Sequence, residues 1–258
     1  MTRTPHRVLL ASVLSLGTLV GASACSLGAQ MRAQTPAPSR SAKPAPTRTT
    51  PPSSRPLTEA QAHAALVTEG DLGAPWGPTQ GVATWRDGVL KATAQAPDCR
   101  RLLDALYTDD LFGAASGPRA VTGLDDSMDQ AQLRYQVLAL SPADVDRTLA
   151  WMKTLPATCG RFTAVTDYGS VQDVQVSDAE LPEVGDARQG LRLTFAGRTT
   201  DGEPTMLTLD VVAVRIGDDT IALTHGGPGM VSADATRAFV QVGAQRLADV
   251  RKQARLRV

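Results

Sequence analysis

Three cysteines, Cys25, Cys99 and Cys159, are the residues of this chain whose thiols could carry chemistry. No two of them have the C-x-x-C spacing of a dithiol redox centre, so the sequence does not favour a redox-active pair. In an oxidising compartment two of the three would pair and one would be left over. We predict a disulfide between Cys99 and Cys159, which would contribute roughly 4 kcal/mol in the chain-entropy model, and a separate role for Cys25.

Residues 1–24 have the order of a bacterial secretory signal, with Arg3 and Arg7 ahead of an apolar run at residues 8–20. As a helix this run would reach roughly 20 Å, which is short of the hydrocarbon thickness of about 30 Å. The segment therefore predicts a signal peptide and export, not a membrane span.

Small residues come directly before Cys25, in the run Gly21-Ala22-Ser23-Ala24, and resemble the lipobox of bacterial lipoproteins. The resemblance implies cleavage before Cys25 and diacylglyceryl modification of its thiol, which would also account for the odd cysteine. Ala22-Ser23-Ala24 equally suits an ordinary signal peptidase, which would leave a secreted protein with a free thiol. We expect the lipid-anchored form, held at the outer face of the cell membrane.

The segment that follows, residues 25–56, is rich in Pro, Ala, Ser and Thr and has almost no apolar side chains to bury, so we predict a disordered linker. No acidic residue precedes Glu59, whereas seven of the 26 basic residues do. The part of the chain from Glu59 onward therefore carries a net charge of about −7. That charge argues against nucleic acid as a partner. A basic linker beside anionic lipids is consistent with a membrane anchor, although compositional drift would explain it equally well.

Helix-capping residues predict where the helices of residues 57–258 begin. Thr58 and Gln61 form a capping box for a first helix that runs to about Val67. Asp98 is expected to cap a second helix, and Ser141, placed before a proline, begins a third. A closing helix is expected to begin near Ser232. The length of this region fits one domain.

Alternating or continuous apolar runs predict strands between these helices. They are expected at residues 132–137, 191–195, 206–216 and 220–224. Short turns join the last three, which indicates an antiparallel meander. We therefore predict an α+β fold with a twisted antiparallel sheet and helices packed mainly on one face.

Several of these features occur together after Thr58: the run Val-Thr-Glu-Gly-Asp-Leu-Gly at residues 67–73, Trp76, a helix through Trp151 to Cys159, and late strands before a final helix. With Cys99 they resemble the PknH-type extracellular sensor domain of actinobacteria. That domain occurs on receptor kinases and on free-standing lipoproteins. The resemblance implies a twisted antiparallel sheet with a cleft that binds an unidentified ligand, and it brings no catalytic residues.

The motif His225-Gly226-Gly227-Pro228-Gly229 resembles the oxyanion-hole loop of α/β-hydrolases of the proline iminopeptidase type. Those enzymes need a G-x-S-x-G nucleophile and a histidine base downstream, and residues 230–258 contain neither. We interpret the motif as a turn between the last strand and the final helix, with glycines at positive φ. His225 remains a candidate ligand contact, and no catalytic residue is predicted.

The sequence predicts no metal ion or cofactor. His63 on the first helix and His6 in the signal offer no zinc spacing. The loop with Asp125, Asp126 and Asp129 lacks the ligand pattern of an EF-hand. We interpret these residues as acidic surface turns, together with the pairs Asp109-Asp110 and Asp218-Asp219.

Two tryptophans, Trp76 and Trp85, lie in a stretch rich in Pro and Gly, where an aromatic ring either lines a binding surface or covers the core. Both are kept as candidate ligand contacts. Trp151 has a helical context that favours packing.

Four functions remain open at this level. The leading hypothesis is a non-enzymatic ligand-binding or sensor-like lipoprotein, which requires a pocket with a few convergent polar groups. A lipid or glycolipid carrier requires a deep apolar cavity. An envelope hydrolase requires two acids, or a nucleophile and a base, in one cleft. A module that binds a protein partner would show an exposed apolar patch.

Overall fold

The structure is a computed structural model that describes residues 57–83, 85–113, 119–199 and 201–256. The predicted signal peptide, Cys25 and the linker lie outside the described residues. Within the described residues no helix is long and apolar enough to cross a membrane.

The described part of the chain contains one antiparallel sheet of nine strands. The strands are β1 (Trp76–Pro78), β2 (Ala92–Thr93), β3 (Arg119–Asp126), β4 (Gln132–Ala139), β5 (Arg161–Thr166), β6 (Val171–Asp178), β7 (Ala187–Arg198), β8 (Pro204–Ile216) and β9 (Asp219–Pro228). Their order is β1-β3-β4-β9-β8-β7-β6-β5-β2, so the late meander β7-β8-β9 forms the centre. The predicted α+β class and antiparallel sheet are confirmed.

Five α-helices accompany the sheet in this part of the chain, with one π-helical segment at Arg86–Leu90. The helices are α1 (Glu59–Ala64), α2 (Glu69–Leu72), α3 (Pro97–Thr108), α4 (Pro142–Thr158) and α5 (Ala233–Leu256). The capping box of Thr58 and Gln61 is present, although α1 ends at Ala64 instead of near Val67. Ser141 caps α4 by accepting a hydrogen bond from the Asp144 N–H. Asp98 is not the cap of α3: that residue is Ala96, and Asp98 accepts a hydrogen bond from the indole of Trp151.

The helices divide between the two faces of the sheet, which differs from the expected cover mainly on one face. Along β8, Leu209, Val211 and Ala213 point into a first core with α3 and α4. Val212 and Val214 point into a second core with α1 and α5. Because β8 is apolar on both faces, each face needs a layer to bury it.

The structure contains the predicted disulfide between Cys99 and Cys159, with the two Cα atoms 5.6 Å apart. Cys99 lies in the first turn of α3 and Cys159 directly follows α4. Both side chains are buried in the first core, so the bond holds the two helices of that core together.

The motif from His225 to Gly229 is not the expected turn, because β9 continues as far as Pro228. Of its glycines, only Gly229 has a positive φ, of 74°. A Cβ on Gly226 would lie 2.4 Å from Leu209 Cδ1, and one on Gly227 would lie 2.9 Å from Ala131 Cα. Close packing against β8 and against the residue before β4, not backbone conformation, therefore favours glycine at the first two positions.

Candidate functional site

One part of the sheet carries polar side chains on the face of the first core. On that face α4 covers β6, β7 and β8, which form the apolar part. Farther along, the strands β3 and β4 present Asp125, Gln132, Arg134 and Gln136 on the same face, because paired residues of an antiparallel ladder share a face. Gln132 and Gln136 are nevertheless buried, so this polar surface is walled in.

A cavity of about 410 Å³ lies at the end of this polar surface, and we call it the end cavity. Its lining comes from three segments: residues 80–83 with Trp85, the β3–β4 connection, and Pro228 at the end of β9. The volume falls within the range of about 300 to 1,000 Å³ typical of small-molecule sites.

The floor of the end cavity is a hydrogen-bond network around the Asp125 carboxylate. The backbone N–H of Gln80 donates to Oδ2 at 3.0 Å, and the side-chain amide of Gln132 donates to Oδ1 at 2.8 Å. The Thr79 hydroxyl lies 3.1 Å from Oδ2. The Gln132 amide also donates to the carbonyl of Gly81 at 3.0 Å, so the network fixes the loop after β1 against the sheet.

The end cavity carries negative charge. Asp125 and Asp126 line it, and no Lys or Arg is among the described residues that do so. The Oδ1 atom of Asp126 accepts the backbone N–H groups of Met128 and Asp129 at 2.8 and 3.1 Å, which fixes the β3–β4 turn. Neither carboxylate forms an ion pair within the described part of the chain, so the charge is balanced only by dipoles.

Trp85 forms one wall of the end cavity and also packs against the first core. Its indole Nε1 is buried and has no acceptor among the described residues. The next residue, Arg86, is buried, donates to the carbonyls of Leu106 and Tyr107 at 3.1 Å each, and pairs with Asp109 at 2.9 Å. These bonds tie the π-helical segment to the end of α3 and so set the position of Trp85.

A second polar cluster lies on the opposite face, and we call its members Arg192, Asp210, His225 and Thr236 the buried network. Both carboxylate oxygens of Asp210 accept from the Arg192 guanidinium at 2.7 Å. The Thr236 hydroxyl donates to Asp210 Oδ2 at 2.6 Å, and His225 Nδ1 lies 2.9 Å from the same hydroxyl. Since the Thr236 proton is given to Asp210, His225 must donate through Nδ1–H.

This arrangement does not activate a nucleophile. A general base must accept the proton of the attacking hydroxyl, whereas His225 donates to Thr236. Burial lowers the pKa of His225 to about 4, with Asp210 acting in the opposite direction, so the ring is neutral near pH 7. The network instead fastens the start of α5 to β8 and β9.

The solved structures to which the chain is similar include two from mycobacteria. No family model matches it, and no curated protein matches it. The extracellular domain of PknH from Mycobacterium tuberculosis aligns with a TM-score of 0.45 and 14% identity, over 77% of this chain and 98% of that one. An uncharacterised protein from Mycobacterium smegmatis, a Rv0999 ortholog, aligns with a TM-score of 0.34 and 15% identity, over 74% and 96%. The domain type that the sequence motifs resemble is thus among these structures, and the role of the chain rests on its own side chains.

The three aromatic candidates from the sequence separate between the two faces. His225 and Trp76 contact each other, with ring centroids 5.7 Å apart, and both pack edge-to-face on Phe239 in the second core. Trp85 alone reaches the end cavity. The structure therefore gives Trp76 and His225 packing roles and leaves Trp85 as the aromatic residue of the candidate site.

The site residues that the sequence interpretation missed are Asp125 and Gln132. The sequence places Asp125 in an acidic surface turn and Gln132 at the first position of the strand expected at residues 132–137. Their side chains meet only because β3 and β4 pair Asp125 with Gln132. A polar residue at the last position of one strand and another at the first position of the next is a weak signal that could have suggested the pair.

Two of the predicted acidic surface turns contain buried ion pairs. The side chain of Asp109 is only 12% exposed and pairs with Arg86 and with Arg134, at 2.9 and 3.2 Å. Asp219 is fully buried and pairs with Arg251. Burial raises the pKa of Asp219, although the ion pair with Arg251 acts in the opposite direction. The sequence around these turns gives no sign of partners so far away in the chain.

The described residues contain no cluster of ligating side chains that could hold a metal ion.

Proposed function

We propose that this protein is an exported lipoprotein, anchored through Cys25 to the outer face of the cell membrane, whose domain binds a small ligand without catalysis. The observation that carries the proposal is the end cavity: a volume open to solvent in which fixed carboxylate and amide groups converge beside one aromatic ring. That combination of a pocket, a few oriented polar groups and an apolar wall is typical of ligand sites.

Export is supported by the chemistry of the cysteines. A disulfide persists in oxidising compartments outside the cytoplasm, and the bond between Cys99 and Cys159 joins two helices of one core. The signal segment and the small residues before Cys25 supply the route and the anchor.

The competing functions fit the end cavity less well. A carrier of acyl chains needs an apolar lining, whereas this floor consists of Asp125, Gln132 and backbone groups. A hydrolase with paired acids needs two carboxylates facing one bond. Asp125 and Asp126 are successive residues of β3, and successive side chains of a strand point to opposite faces, so they do not make such a pair.

Binding is tested by purifying the full-length protein from its native envelope and recording its mass under non-denaturing conditions. We expect a stoichiometric ligand that is lost in Trp85→Ala. Trp151→Ala is the matched control, because Trp151 lies on α4, where Arg101 stacks on its ring at 3.9 Å, away from the end cavity. A ligand retained by Trp85→Ala, or an apo protein throughout, would contradict the proposal.

Anchoring is tested separately with Cys25→Ala in the full-length chain. We expect the variant to move from the membrane fraction to the secreted fraction, because a single thiol carries the lipid. A variant that stays with the membrane would rule out Cys25 as the anchor.

A further inference from the structure

The fixed polar atoms at the floor of the end cavity are mainly hydrogen-bond acceptors. Gln132 uses its amide nitrogen as a donor to Asp125 and Gly81, and its Oε1 receives no hydrogen bond from the described residues. A carboxylate has about four acceptor positions, and Asp125 uses at most three of them on Thr79, Gln80 and Gln132. The floor therefore offers acceptors to a ligand that brings its own donors.

The rim of the cavity can both donate and accept. Gln80 and Gln130 line it and are exposed, and a side-chain amide presents two N–H donors and a carbonyl oxygen. A ligand here would meet acceptors below and adaptable amides around its edge. Hydroxyl groups suit both, since each one donates and accepts.

The remaining walls are apolar and come from Trp85, Val82, Ala83 and Pro228. An aromatic ring provides a flat, rigid surface for carbon-bound hydrogens. The site thus combines an apolar wall with a polar floor and rim. A saturated ring with hydroxyls around its edge and C–H groups on its faces has the matching distribution.

The charge of the cavity decides between neutral and ionic ligands. The Asp125 carboxylate lies at its floor and no described Lys or Arg lines it, so a phosphate or carboxylate group would meet like charge. An ammonium group is not required either, because the Gln80 backbone N–H and the Gln132 amide already donate to the Asp125 carboxylate.

We propose that the end cavity binds a neutral sugar ring, as a free saccharide or as the end of a glycan, with Asp125 and Gln132 accepting from its hydroxyls and Trp85 covering one face. This inference rests on the proposed ligand-binding function and adds the chemical class of the ligand. It assigns Asp125, Gln132 and Trp85 as specificity residues.

The test titrates the full-length protein in detergent with D-glucose, D-galactose, D-mannose, D-arabinose, trehalose and N-acetylglucosamine, by saturation-transfer NMR and calorimetry. Glucose 6-phosphate and putrescine serve as the anionic and cationic probes. We expect at least one neutral saccharide to bind with a dissociation constant between about 1 µM and 1 mM, nearly independent of salt. Glucose 6-phosphate should bind at least tenfold more weakly than D-glucose.

Variants locate the binding and separate it from folding. Trp85→Ala and Gln132→Met should each weaken saccharide binding at least tenfold, with far-UV circular dichroism unchanged. Asp129→Asn is the matched control, because it removes one charge from the same turn but does not line the cavity. Wild-type affinity in Trp85→Ala would overturn the assignment.

The outcomes also separate the ligand class from the proposed function. If no saccharide binds while putrescine does so in a salt-dependent way, or while the envelope-purified protein carries another ligand, the sugar assignment is wrong and the binding function stands. If no probe binds and the purified protein is empty, both proposals fail.

Discussion

The buried network and the end cavity lie back to back at the same end of β9. The register pairs His225 with Asp210 on one face, and the next residue, Gly226, with Gln132 on the other. In the buried network Asp210, His225 and Thr236 are at most 2% exposed and bond to one another. In the end cavity a similar carboxylate, Asp125, faces an open volume and has an acceptor position left over.

The difference shows what a polar cluster must leave unpaired in order to bind something else. A closed set of hydrogen bonds stabilises the fold, because removing any member leaves the other buried polar groups without hydrogen-bond partners. An open set has capacity left for a ligand. The presence of His225, Asp210 and a hydroxyl therefore does not by itself indicate a functional site. What matters is whether their hydrogen bonds are all satisfied within the fold.

The largest expected effect is the loss of stability in Asp210→Ala. The substitution leaves the Arg192 guanidinium without its carboxylate and the Thr236 hydroxyl without its acceptor, at a cost of about 3 kcal/mol. Urea denaturation of the variant and the wild type measures the difference. Ligand binding by the folded variant should stay unchanged, and a binding defect at wild-type stability would reverse the roles of the two clusters.

Acidification should weaken the fold through His225. Burial holds the folded pKa at about 4, whereas an unfolded histidine titrates near 6.5. Between these pH values His225 is protonated in the unfolded chain but not in the folded chain. Its contribution to the free energy of unfolding is therefore complete above pH 6.5 and is lost as the pH falls. The loss from pH 7 to pH 5 is on the order of 2 kcal/mol.

His225→Gln isolates this contribution, because it removes the titrating group and leaves the others in place. Asp210 and Asp126 favour the charged ring and Arg192 opposes it, and all three remain in the variant. Denaturation curves at pH 7 and pH 5 should show a smaller pH dependence in the variant. Equal slopes would mean that His225 is not held neutral by the fold.

In the end cavity, Asp125→Asn should cost only about 1 kcal/mol of stability, because one of the oxygens that accept from Gln80 and Gln132 becomes a donor while water can reach the site. The same variant should lose ligand affinity. The stability cost therefore should be smaller than for Asp210→Ala, and the binding cost larger. Thermal unfolding with and without the envelope-derived ligand measures both.

The sequence predicted the framework well where local signals decide it. The capping box at Thr58, the cap at Ser141 and the apolar run at residues 206–216 each depend on neighbours in the chain, and the structure contains all three features. The fold class followed from them. Helices on both faces did not follow: the sequence predicted cover mainly on one face, because the apolar face of a strand does not say which helix covers it.

The candidate site could not be derived in the same way, because its residues meet only through strand pairing and loop closure. Trp85 was recognised as a candidate from its composition context, but its partners Asp125 and Gln132 lie about 40 residues away in the chain. His225 drew attention through a motif whose glycines serve packing. The use of a polar group, paired or open, is a property of tertiary structure.

The smallest effect on stability is expected for Tyr135→Phe, which removes an unpaired polar atom that does not adjoin an open cavity. The Tyr135 side chain is fully buried, and its hydroxyl has no partner among the described residues. Gly243 of α5 lies so close that a Cβ there would be 2.4 Å from the hydroxyl oxygen. Removing the hydroxyl should therefore lower the stability by less than about 0.5 kcal/mol or increase it, since no hydrogen bond is lost.

Gly243→Ala, which forces an atom into the same contact, should cost about 1 to 3 kcal/mol of stability. A marked loss in Tyr135→Phe would show that the hydroxyl has a partner. Unchanged or increased stability would show that an unpaired buried atom is a useful sign of a site only where an open volume adjoins it.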